Sequence, residues 1–175
     1  MKMFKKIMAV ALTAVMAVSM LTGCAVSDAI AEKQAEKALE NAYKTVAGEN
    51  VNFKSLSVDS SVTKSVKDDI KNGTILLEDD DDYAETVTVD GKEYTVVVVT
   101  EPKSATKFEN WKNVAVRVLT AAYGENTIWL EGTTNKTAKV AITAGIEGKN
   151  ATDTTKKDTY AMFVFAANEK AYGKN

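Results

Sequence analysis

The sequence predicts an α+β domain, with about three helices packed on one antiparallel sheet of five to seven strands. Three observations lead to it. Asp28–Ala47 and Lys107–Tyr123 space their apolar residues three and four apart, as one buried helix face requires. Thr86–Thr100 places β-branched runs on both sides of Asp90-Gly91, a pair suited to the two positive φ values of a type I′ hairpin turn. Three more strand-like stretches, Thr127–Glu131, Lys139–Ala144 and Thr159–Ala167, follow between polar loops.

In the first helix the stripe is Ala35, Ala38, Leu39, Ala42, Tyr43 and Val46. Ser27 stands where an N-cap oxygen would accept a free amide, Glu40 and Lys44 form an i,i+4 pair, and Gly48 suits the left-handed position after the helix. Val51–Val58 alternates imperfectly through Val51, Phe53 and Leu56, a weak strand. Ser61–Asn72 carries Val62, Val66 and Ile70 on a thin stripe stopped by Gly73, a second helix, and Thr74–Leu77 is a short strand candidate. Glu78-Asp79-Asp80-Asp81-Asp82 follows, a run that like-charge repulsion keeps extended and hydrated.

The hairpin turn sets Val87 opposite Tyr94, and Val96–Val99, apolar on both faces, reads as a central strand that Pro102 ends. The third helix opens with Thr106 and Glu109 as a capping box. It carries Phe108, Trp111, Ala115, Val118, Leu119 and Ala122 on its stripe and closes at Gly124. A strand through Val114–Val118 is the rival reading, outweighed by the cap, the stripe length and the glycine. Near the end, Val140, Ile142 and Ala144 alternate with Lys139, Ala141 and Thr143. The loops GTTNKT and GIEGKNATDTTKKD separate the last three strands, the second long enough to be mobile.

Before the domain, Lys2, Lys5 and Lys6 precede Ile7–Leu21, 15 residues without charge, Gly or Pro. As helix this run is about 22 Å long, short against a bilayer core of about 30 Å. It reads as a secretory signal. It exits through Leu21-Thr22-Gly23-Cys24, where Cys24 is the single cysteine of the chain. This stretch resembles the lipobox of bacterial lipoprotein precursors, a likeness confined to the first 24 residues. The resemblance implies lipid transfer to the Cys24 thiol, cleavage after Gly23, acylation of the new amino terminus and residence on the extracytoplasmic face of the cell membrane. It divides the chain into a signal peptide, 1–23, and one extracytoplasmic domain, 24–175. An ordinary signal with a chance cysteine, an uncleaved anchor and a buried helix are the other readings; placement, spacing and the lack of a second cysteine favour lipidation. Stable anchoring needs at least two acyl chains, which a diacylglyceryl group supplies.

Removing 23 residues from 175 leaves 152, enough for one domain resting on its apolar core without a disulfide. With the three signal lysines gone, 19 basic residues face 24 acidic ones, a net charge of −5. Nucleic acid demands clustered basic residues and is excluded as a partner. Arg117 is the only arginine, which argues against a dedicated phosphate clamp. With no histidine there is no Ser-His-Asp triad and no Cys-His pair, and zinc would have to be held by carboxylates alone.

Ser61-Val62-Thr63-Lys64 and Ser104-Ala105-Thr106-Lys107 are similar to the serine-lysine motif of penicillin-binding proteins. The companion Ser-Asp-Asn is absent, and Lys136-Thr137-Ala138 stands in place of Lys-Thr-Gly. Both pairs lie at helix starts, where hydroxyl groups cap. An EF-hand loop beginning at Asp79 would need Gly at its sixth position and has Ala84, so Asp79–Asp82 reads as a solvated loop rather than a calcium site. Trp111 reads as core; Trp129 could line a glycan groove. Acids for a hydrolytic carboxylate pair are plentiful, but no motif places them.

These observations predict a membrane-anchored surface lipoprotein acting as a non-enzymatic binding or accessory module. No catalytic, cofactor or metal residues are assigned. Its partners are the membrane, through the Cys24 lipid, and a protein, envelope polymer or small ligand. A small envelope hydrolase using Asp and Glu is the first alternative. A solute-binding lipoprotein of a transporter, usually a larger two-lobed protein, is the second.

Overall fold

The computed structural model describes residues 23–47, 51–123 and 136–166. Along the chain these form α1 (Gly23–Ala47), β1 (Val51–Ser55), α2 (Ser60–Asn72), β2 (Asp82–Val89), β3 (Lys92–Thr100), α3 (Phe108–Tyr123), β4 (Lys136–Lys149) and β5 (Lys157–Ala166). The strands lie side by side in the order β1-β4-β5-β3-β2. Strands β4, β5, β3 and β2 pair antiparallel, and β1 adds to the edge of β4 in parallel. The α+β class holds. The expected antiparallel sheet of five to seven strands does not, because among the described residues the antiparallel part has four.

One cause is Thr74–Leu77, which is not a strand. Gly73 takes the left-handed conformation after α2, and the amides of Gly73, Thr74 and Ile75 all turn back to the Asp69 carbonyl. Those donors cap the helix instead of pairing in a sheet, while Ile75 and Leu77 drop into the core. The candidate strand Thr127–Glu131, the glycines Gly48 and Gly124, and Trp129 lie outside the described residues.

Side-chain alternation gives the sheet two apolar faces. Val97, Val99, Phe163 and Phe165 point toward α1 and α3, where they meet Leu39, Tyr43, Trp111 and Leu119. Val96, Val98, Met162 and Val164 point the other way, onto Val62, Val66 and Ile70 of α2. Strand β3 is thus buried on both faces, as its uninterrupted valines predict, and β5 is the middle strand of the sheet. The β2–β3 hairpin turns through Asp90 at φ 51° and Gly91 at φ 73°, with Val87 opposite Tyr94.

Strand β4 runs further than its alternation suggests. Thr143 pairs with Met162 and Ile146 with Tyr160, so Ala144 and Gly145 together oppose the single residue Ala161. This β-bulge inverts the side-chain alternation. Val140 and Ala144 belong to the α1 face, whereas Ile146 belongs to the α2 face. Gly145 carries the bulge at φ 72°. The expected loop from Gly145 is therefore strand as far as Lys149. The remaining turn is not loose either: Asn150 Oδ1 accepts the amides of Thr152 and Asp153, and Asp153 Oδ1 accepts from Thr155.

The helix ends also differ from expectation. Helix α1 begins at Gly23, because nothing in Ala25-Val26-Ser27 breaks a helix, so Ser27 is an interior residue and not a cap. Glu40, expected to pair with Lys44, accepts the Phe53 amide at 3.3 Å. Asp59 caps α2 by accepting the Ser61 amide at 2.8 Å, and this bond holds the Asp59 carboxyl below its usual value. Helix α3 begins at Phe108 without the Thr106–Glu109 box. Asn110 Nδ2 instead reaches back to the carbonyls of Lys103 and Ser104.

Candidate functional site

At the end of the sheet where β3 stops and β5 starts lies a polar cleft of about 810 Å³. Its walls come from Ser27 on α1, Asp79 and Asp80 in the acidic turn, Thr100–Thr106, the first turns of α3, and Lys157–Thr159. Asp79, Asp80, Glu101, Glu109 and Asp158 face Lys103, Arg117 and Lys157, so acid exceeds base. Among the described residues no aromatic ring lines it, so they offer no stacking platform of the kind a sugar ring would use.

The cleft is braced by backbone contacts. Arg117 spends its fork on peptide oxygens: Nη1 donates to the Asp81 carbonyl at 3.0 Å and Nη2 to the Asp79 carbonyl at 3.1 Å. The Thr100 hydroxyl donates to the carbonyls of Glu78 and Asp79. The acidic turn is thus fixed through its main chain, and its carboxylates remain at the surface. Across the cleft, Ser104 is held at φ 58°, a left-handed conformation costly for a residue with a β-carbon. Its carbonyl accepts from the Lys107 amide at 2.9 Å and from Asn110 Nδ2 at 3.2 Å, and these bonds keep the turn in place.

Glu101 lies at the junction of cleft and core. Its Oε2 accepts the Gly145 amide at 2.8 Å, while Glu32 Oε1 on α1 accepts the neighbouring Ala144 amide at 3.2 Å. At the bulge these two amides are satisfied by two carboxylates from distant parts of the chain. Asp28, one turn before Glu32, lies directly against the Cα of Gly145. Both glutamates are half-buried, and burial pushes their carboxyl groups above the usual range. For Glu101 the Gly145 amide opposes that shift, and the charges of Asp28 and Glu32 add to it. For Glu32 the Ala144 amide opposes it, Asp28 adds to it, and Lys67 opposes it.

The residues singled out from sequence are dispersed. Gly23 and Cys24 are the first two residues of α1. Ser104 lines the cleft, but Lys107 does not. Ser61 is exposed at the start of α2, and Lys64 pairs with Asp68 at 3.0 Å. Neither serine-lysine pair is joined by a hydrogen bond, and neither serine acts as the helix cap. Trp111 is fully buried. Among the described residues no group of three or more acids is arranged to hold a metal ion, and no helix is long and apolar enough to cross a membrane. The sequence reading missed Asp28, Glu32, Glu101 and Gly145 as a group. A glycine inside an alternating strand is the signal that could have exposed the bulge.

A second hollow, of about 500 Å³, lies at the opposite end of the sheet beside Leu56, Tyr94 and Lys139. No protein-family model, curated protein or solved structure matches the chain.

Proposed function

We propose that the chain is a lipid-anchored extracytoplasmic protein whose domain works as a non-enzymatic binding or accessory module, with the polar cleft as its contact surface. The observation that carries the reading is Leu21-Thr22-Gly23-Cys24 after a short apolar run. Its position in the fold supports it. Cys24 stands three residues before Ser27 on the cleft rim, about 4.5 Å of helical rise. A lipid on Cys24 would therefore put the cleft at the membrane-facing end of the domain. The partner met there is a protein, an envelope polymer or a small ligand. The net acidity of its described lining, which includes no aromatic ring, favours a ligand bearing amino groups over an anion or a bare sugar face.

A hydrolase working through carboxyl groups is the second reading, favoured by Glu101, a raised carboxyl at the cleft edge. Its Oε2 is committed to the Gly145 amide, however, and the other raised glutamate, Glu32, is not part of the cleft wall.

The test is Cys24→Ser in a bacterial host fed labelled fatty acid. The variant should lose all label and accumulate as uncleaved precursor or be released. Wild-type protein should gain the mass of a diacylglyceryl group on a mature chain beginning at Cys24. A Cys24→Ser variant that still fractionates as mature lipoprotein would sink the reading.

A further inference from the structure

We propose that Asp28, Glu32 and Glu101, gathered over the β4 bulge, form a proton-responsive clasp that holds the first turns of α1 on the sheet. The apolar grip on this part of the helix is slight. Ser27, Ala29 and Ile30 are exposed, and before Ala35 the only fully buried side chain from Ser27 onward is the methyl group of Ala31. Polar contacts supply the rest: Asp28 against Gly145, and Glu32 on the Ala144 amide, with Glu101 on the next amide from the other side. The charges that bear on the clasp are Asp28 and Glu32 from α1, Glu101 from the end of β3, and Lys67 from α2; the bulge and Ala161 bring none. Half out of water and beside the Asp28 charge, Glu32 and Glu101 ionise less readily than free carboxyl groups.

The sign follows from linkage. Glu32 and Glu101 hold protons more tightly in the closed clasp than in the opened one, where they return to about their ordinary value of 4.5. Closure is therefore favoured fully below that value and is weakened as pH rises through the raised values of the folded state. Acid tightens the clasp, and alkali loosens it. Opening would convert residues 23–30 from about 1.5 Å to about 3.3 Å per residue. On the lipid-anchor reading, that lengthens the tether between membrane and cleft; the clasp itself does not depend on that reading.

Hydrogen exchange on the full-length protein in detergent micelles tests it, with each amide normalised to its intrinsic rate. Between pH 5 and pH 8, residues 27–32 and the amides of Ala144 and Gly145 should lose about three- to tenfold in protection. Glu32→Gln with Glu101→Gln keeps an acceptor for each amide without a charge, and the pH dependence should flatten. Glu32→Gln alone should reduce it in part, which covers failure of the double variant to fold. Protection that does not change with pH in the wild type, or a dependence unaltered in the variants, overturns the proposal. Running Cys24→Ser in parallel should give the same dependence, so a failed anchor leaves this result interpretable.

Discussion

The indole N–H of Trp111 donates to the Ala105 carbonyl at 2.6 Å, inside the core and across the strained turn that precedes α3. The same ring meets Phe163 of the middle strand edge to face, with centroids 6.2 Å apart. One side chain therefore ties the cleft wall, helix α3 and the sheet together. Trp111→Ala should cost about 3–5 kcal/mol by leaving a cavity. Trp111→Phe should cost less, about 1–3 kcal/mol, by leaving the Ala105 oxygen without its donor. Denaturant midpoints at unchanged slope would measure both. A Trp111→Phe variant as stable as the wild type would show that the hydrogen bond contributes nothing.

Gly145 is the second point of sensitivity. An alanine there must take a left-handed φ of 72°, a penalty of about 1–2 kcal/mol. Its β-carbon would also overlap the Asp28 carboxylate. Gly145→Ala should therefore destabilise the protein by more than the backbone penalty alone, and adding Asp28→Ala should restore the steric part while the backbone part remains. A double-mutant cycle by thermal unfolding measures the coupling between the two positions. Strict additivity would mean that Asp28 does not confine the bulge.

Arg117 should matter to local order more than to global stability. Its two nitrogens bridge two carbonyls of one turn, a geometry that a lysine ammonium cannot reproduce. Arg117→Ala should increase amide exchange and protease cutting at 78–82, while total stability falls by no more than about 1 kcal/mol. Arg117→Lys should behave like the alanine variant. If lysine preserves the wild-type exchange pattern, charge rather than the fork holds the turn.

What could be read from the sequence was whatever repeated at short range. The valine run of β3, the stripes of α2 and α3 and the Asp90-Gly91 turn each depend on residues within a few positions of one another, and all stand where expected. The misreadings have long-range causes. Thr74–Leu77 has strand composition, yet the amides of Thr74 and Ile75 are captured by the Asp69 carbonyl. β1 pairs in parallel with a strand more than 80 residues away, a contact that no local pattern announces. The clasp was invisible for the same reason. Glu32 and Ala144 are 112 residues apart, and only the fold brings them within a hydrogen bond.

The place of β5 has a consequence for how a partly made chain behaves. The last described strand is wedged between β4 on one flank and β3 on the other. Until residues 157–166 emerge, the β2–β3 hairpin and the β1–β4 pair have no shared neighbour and remain two unjoined ribbons with raw inner borders. A polypeptide emerging amino end first would thus stay unfinished until this strand arrives, closing in one late step. Any truncation before this strand should yield no smaller folded version, only protease-sensitive chain.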